Sequence, residues 1–116
     1  MPKVSIVIVS YNVCYFLKQC LQSVLNSVTD AELEIIVVDN ASRDGSVSML
    51  KSEFPEAICI ENRDNKGFSK ANNQGFKKAS GDYVLILNPD TIVEENTIQT
   101  CLEWCFLQQL HLAIMF

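Results

Sequence analysis

The sequence predicts an open α/β domain of Rossmann-like character, a mostly parallel sheet with helices on both faces. Three observations predict it. Four short apolar runs, Val4–Val9, Ile35–Val38, Ala57–Ile60 and Tyr83–Leu87, have the length and β-branched character of buried strands. The segments between them repeat apolar residues at helical spacing. Each run also gives way to a polar cluster, and in open parallel sheets ligands bind at the carboxyl ends of the strands, where such clusters converge.

After the first run, Val13, Phe16, Leu17, Cys20, Leu21, Val24, Leu25 and Val28 recur every three or four residues, the buried stripe of a first helix. Ser42 to Gly45 forms a turn opening a shorter helix near Asp44–Glu53, with Val47, Leu50 and Phe54 inward; Pro55 forbids its continuation. The third run ends in the polar loop Glu61–Gly67, and Phe68, Ala71, Asn72, Gly75, Phe76 and Ala79 mark a third helix, stopped by Ser80-Gly81-Asp82. Beyond the fourth run, Asn96 and Gln99 have capping-box spacing, and Ile98, Cys101, Leu102, Cys105 and Phe106 supply a buried face. This β-α-β-α-β-α-β-α order requires helical crossovers between parallel neighbours. Leu110 to Phe116 is apolar apart from His111: either a short edge strand beginning at Leu112, or the interrupted start of a longer domain, which is the expectation preferred.

With 116 residues, nearly half of them hydrophobic, the chain has the size of one domain with a modest core. A net charge of -5 argues against a nucleic-acid partner. Arg63, Lys66, Lys70, Lys77 and Lys78 form a local basic group, read as a solvated face, with one phosphate contact as the minority alternative. No secretory signal or membrane-length apolar run is visible, so the expected location is cytoplasmic, including a peripheral position at the inner face of a membrane. Five cysteines without CxxC spacing suit reduced thiols, and a zinc set from Cys101, Cys105 and the single His111 is not expected.

The candidate functional residues stand at strand ends. Asp39 follows Ile35–Val38 directly and can accept a hydrogen bond from a ring N–H or a ribose hydroxyl; equally it can be a turn residue, with Asn40 and Ser42 capping the next helix. Ser10 and Tyr11 close strand one, where the tyrosine ring offers a flat surface to a base, while Asn12 is at least as well suited to capping a helix. In Asn88-Pro89-Asp90 the acid can hold a hard divalent cation against a diphosphate, or form an ordinary turn. GxGxxG, GxxxxGK[ST] and GxSxG are all missing, which lowers the case for a dinucleotide oxidoreductase, a P-loop hydrolase and a serine hydrolase. A nucleotidyltransferase would want a basic loop where Ser10-Tyr11-Asn12-Val13 stands.

Four blocks, Val4–Asn12, Ile36–Ser42, Asn65–Gly75 and Leu87–Thr91, together resemble family 2 glycosyltransferases in order and spacing, over residues 3 to about 105 and nearest the rhamnosyltransferase-like branch. The resemblance implies a GT-A fold, incomplete at its C-terminus, in which residues 1–116 are the nucleotide-sugar-binding part of a catalytic domain cut after about residue 105. It implies inverting transfer from a UDP- or dTDP-sugar to a glycan or lipid-linked acceptor in cell-surface polysaccharide synthesis. Ser10, Tyr11 and Asp39 would contact the nucleoside, Gly67, Phe68 and Asn72 would line the donor pocket, and Asn40, Asn88 and Asp90 would complete the substrate-binding set. Asp90 would be the last acid of a DxD-type motif binding manganese or magnesium, with the uncharged Asn88 where many members carry an aspartate. No residue matches the family's general base, and Glu94, Glu95 and Glu103 are read as solvated, so this chain is expected to bind donor without turnover. The alternative is a non-catalytic interaction or oligomerisation module, a homodimer formed through an exposed sheet edge. The donor-binding reading needs Asp39 and Asp90 to meet side by side at one rim.

Overall fold

The computed structural model describes residues 2–115. Five strands and four helices alternate: β1 (Lys3–Ser10), α1 (Cys14–Leu25), β2 (Glu32–Asp39), α2 (Ser46–Glu53), β3 (Ile58–Glu61), α3 (Phe68–Lys78), β4 (Tyr83–Leu87), α4 (Thr97–Leu107) and β5 (Leu112–Met115). The strands lie in the order β3-β2-β1-β4-β5, and every neighbouring pair is parallel. Leu112 does begin a strand, which pairs with β4. Because the chain steps outward from β1 to β3 and then returns to the other side of β1, the β1–β4 boundary is the switch point of the sheet.

Side-chain alternation along the strands separates two cores. Val4, Ile6 and Ile8 of β1, with Ile35 and Val37 of β2, pack against Leu17, Leu21 and Val24 of α1, Leu50 of α2, and Ile98 and Leu102 of α4. The intervening residues Val7, Ile36 and Val38 pack on the other face against Ala71 of α3. Gly75 lets α3 settle this closely, since a Cβ there would overlap the Val7 side chain.

The buried stripes are narrower than their periodicity implies. In α1 only Leu17, Cys20, Leu21 and Val24 are buried; Phe16 and Leu25 lie on the flanks, Val13 precedes the first turn, and Val28 lies beyond the C-cap Asn26. One helix on a sheet covers a single stripe, so flanking apolar residues stay in solvent. Phe68 and Phe106, expected inside, are exposed for the same reason. Helix α2 starts at Ser46 rather than Asp44, because the Asp44 carboxylate accepts from the backbone N–H groups of Ser46 (3.1 Å) and Cys14 (2.9 Å). Met49, missed by the periodicity, is buried beside Leu50, whereas Val47 is half-buried. The capping box at Asn96 does not form. Asn96 makes no side-chain cap bond, and Gln99 Oε1 accepts instead from the Thr29 hydroxyl at 2.6 Å.

At the amino end of the sheet, Glu34 staples three segments. It accepts from the Ser5 hydroxyl (2.7 Å) and from the Ser80 N–H and hydroxyl (both 2.9 Å), with Lys3 Nζ at 3.4 Å. Partial burial pushes the carboxyl's pKa up, but these donors outweigh it and hold the value down to about 2. All five cysteines are free thiols.

Candidate nucleotide site

Ser10 and Asp39 are register partners, so β1 and β2 deliver them to the same level of the carboxyl rim. Counting by twos from Ile8 and Val37 places both side chains on the face covered by α1 and α2. Asp39 is only 1% exposed. Its Oδ2 accepts the Ser42 N–H at 2.9 Å, but Oδ1 has no partner. The Ser10 hydroxyl is fully buried and is likewise without one. Burying a polar atom without a hydrogen bond is unfavourable, so such atoms mark where a ligand or water belongs.

Tyr11, 50% exposed, stands over this corner. With Asp39, Ala41, Ser42 and Arg43 it lines a cleft of about 840 Å³ whose other wall is Glu61 to Asn65. The loops after β1 and β2 are stitched together there: Asn12 Oδ1 accepts the Arg43 N–H (2.8 Å), and Ser42 Oγ accepts the Asn12 N–H (2.9 Å). Asn12 and Ser42 therefore join loops rather than cap helices. Both Asn12 (φ 51°) and Ala41 (φ 67°) hold left-handed backbone, an unfavourable conformation for a residue with a side chain and one that clusters at ligand sites.

The other expected residues belong to the α3 face or to the β4 end. Asn40 spends both ends of its carboxamide on the protein, donating to the Gly67 carbonyl (3.3 Å) and accepting from Asn62 (3.0 Å) and the Lys66 N–H (3.4 Å). Gly67 has φ +80° and ψ 172°, a region open to glycine alone, and it turns the loop into α3. Phe68 projects into solvent at the start of that helix, while Asn72 is buried with its Oδ1 unpartnered. Asn62 was not singled out in the sequence. Its signal is a polar residue two positions after Ile60 in the buried phase of β3, followed by a loop.

Asn88 Nδ2 donates to Asp90 Oδ1 at 3.0 Å. Beneath them, the Cys20 thiol donates to the Asn88 carbonyl (3.8 Å). Burial and then the Asp90 carboxylate push that thiol's pKa up to about 12, so Cys20 remains a protonated packing group. Asp39 and the loop carrying Asp90 leave the same carboxyl rim from the two strands that flank β1, so the acids share one rim with a single strand between their elements rather than standing on opposite flanks of the sheet. Asp90 does not line the Asp39 cleft. Among the described residues no three His, Cys, Asp or Glu side chains gather as a metal cage. Asp90 carries the hard carboxylate oxygens a divalent cation takes alongside a diphosphate and water, and Asn88 adds a carbonyl oxygen to them once its carboxamide turns its NH2 away from Asp90. Glu94, Glu95 and Glu103 are exposed and outside the cleft, and Lys70, Lys77 and Lys78 form an exposed face of α3.

Residues 5–106 match the family described as Glycosyl transferase family 2. The chain is 31% identical over 114 residues to the glycosyltransferase GlyA of Streptococcus pneumoniae, which covers 97% of this chain and 16% of that protein. It is 32% identical over 104 residues to the minor teichoic acid biosynthesis protein GgaB of Bacillus subtilis, covering 86% of this chain and 12% of GgaB. Its fold matches the mannosyltransferase PcManGT of Pyrobaculum calidifontis, solved in complex with GDP-Man and Mn2+, with a TM-score of 0.80 and 25% identity over 90% of this chain and 32% of that one. The chain thus spans a third or less of the length of these relatives.

Proposed function

Because this chain belongs to glycosyl transferase family 2 and has the GT-A fold, we propose that it is the donor-binding part of an inverting glycosyltransferase of cell-surface polysaccharide synthesis. The donor is a nucleoside-diphosphate sugar, a UDP- or dTDP-sugar, and the acceptor a glycan or lipid-linked saccharide. The observation that carries this reading is the buried Asp39 Oδ1, unpartnered at a cleft that Tyr11 overhangs. A carboxylate oxygen there accepts from a ring N–H or a ribose hydroxyl, and the Tyr11 ring packs on the base. The mannosyltransferase bound to GDP-Man and Mn2+ supports donor and cation use, and the teichoic acid protein supports the polymer class.

Asn88 and Asp90 would hold a manganese or magnesium ion. When bound, that ion offsets charge on the departing diphosphate. Attack by an acceptor hydroxyl needs a general base. Glu94, Glu95 and Glu103 stand outside the cleft, and the role this reading gives the chain is donor binding.

Calorimetry of the full chain with UDP, dTDP and GDP, each with manganese chloride, tests the reading. Saturable heat with one of the pyrimidine nucleotides is expected; none with any of the three would remove it.

One surface favours a second reading, an interaction module. Trp104, Phe106, Leu107 and Leu110, on and just after α4, are exposed apolar residues on the helix that leads into the edge strand β5. Sedimentation velocity over a concentration series separates the two, because self-association without nucleotide binding belongs to the module alone.

A further inference from the structure

The far wall of the cleft is held by three linked carboxamides that nucleoside recognition, as described above, leaves unused. Gln74 on α3 and Asn62 at the end of β3 face each other in a reciprocal pair: Gln74 Nε2 donates to Asn62 Oδ1, and Asn62 Nδ2 donates to Gln74 Oε1, both at 2.8 Å. The same Asn62 Nδ2 reaches Asn40 Oδ1 at the end of β2 (3.0 Å). Asn40 then grips the loop, taking the Lys66 N–H and donating to the Gly67 carbonyl. The relay runs from helix α3 through two strand ends into the turn before α3.

Its placement matters because Arg63, Asp64 and Asn65, which form the cleft wall facing Tyr11 and Asp39, lie between the two points the relay holds. Among the described residues, no backbone hydrogen bond ties Arg63, Asp64 or Asn65 to another segment. The Asn62 N–H bond to the Asp39 carbonyl (2.9 Å) anchors one end, and the Asn40 contacts anchor the other. Asn62 is 7% exposed and its bond to Asn40 is buried, while the pair with Gln74 is partly so; together they fix the loop directionally, which an apolar pair of the same volume cannot do.

We propose that Gln74 is a positioning residue for nucleotide binding, acting through Asn62 and the Arg63–Asn65 wall rather than touching the ligand itself. The inference rests on the nucleotide cleft proposed above. Gln74 is the better residue to change, since it does not line the cleft.

In the full chain, Gln74→Met keeps the side-chain length and removes the reciprocal bonds. Two measurements are made: nucleotide affinity with manganese chloride by calorimetry (UDP, dTDP, GDP), and native-state amide hydrogen exchange by NMR. Affinity for whichever nucleotide the unsubstituted chain binds should fall about tenfold, the equilibrium equivalent of one to two lost hydrogen bonds. Exchange at Lys66 and Gly67 should quicken by a similar factor, while Val7 and Ile36 in the sheet keep their protection. Gln74→Glu retains the acceptor for Asn62 and should fall between; it also carries the comparison if Gln74→Met does not fold. Unchanged affinity despite a loosened loop would overturn the inference, as would equal loss of protection in loop and sheet, the mark of a purely structural role. If the unsubstituted chain binds none of the three nucleotides, it is the cleft reading that has failed, and the inference falls with it.

Discussion

Replacing Asp39 by asparagine should separate binding from stability. The carboxylate makes one protein hydrogen bond, from the Ser42 N–H to Oδ2, and that bond survives in the variant because the carboxamide retains one oxygen. What changes is the second position. Oδ1, buried and unpartnered, becomes an NH2 group, which donates and cannot accept. A ligand N–H or hydroxyl that met a carboxylate then meets another donor. A hydrogen bond to a charged group contributes about 1.5–3 kcal/mol, so affinity should fall about 10- to 150-fold. Stability should move by less than about 1 kcal/mol, because one partnerless buried polar atom replaces another of the same shape. Calorimetry with the nucleotide and manganese chloride gives the first quantity, and urea unfolding of the free chain gives the second. Affinity within about twofold of the unsubstituted chain, with folding intact, would refute the role of Asp39.

Asp90→Ala should abolish the manganese-dependent part of nucleotide affinity, and adding EDTA should weaken the unsubstituted chain to the same level while leaving the variant unchanged. Glu34, with a pKa of about 2 in the folded chain against 4.5 normally, stabilises the fold fully above pH 4.5, and that contribution is lost as pH falls toward 2. Urea midpoints measured between pH 6 and 2.5 should therefore fall less steeply in Glu34→Gln. Gly75→Ala should destabilise the fold by about 1–3 kcal/mol, the usual effect of overpacking, seen as a lower urea midpoint at unchanged slope, because the new methyl meets Val7.

Composition and periodicity carried the fold class, since a strand buried on both faces must be a continuous apolar run and a helix laid on a sheet must repeat every three or four residues. The breadth of each stripe was not legible: Phe16, Phe68 and Phe106 obey the helical period yet are exposed, because burial depends on what covers a flank. Within the site, Asp39 and Tyr11 were visible as polar residues directly after apolar runs. Asn62 was hidden, because a lone asparagine before a polar loop has no pattern until Gln74, eleven positions beyond the intervening Arg63, is brought against it.

Local chemistry alone thus determined which strands and helices form and that polar groups collect at the strand ends. Which of those groups meet was decided only by strand order. The sheet inserts β1 between β2 and β4, so Asp39 faces the loop after β3 while Asp90 stands across β1 with Asn88. Asn40, adjacent to Asp39 in the chain, turns to the opposite face and joins the α3 relay, because successive residues of a strand point to opposite sides of the sheet.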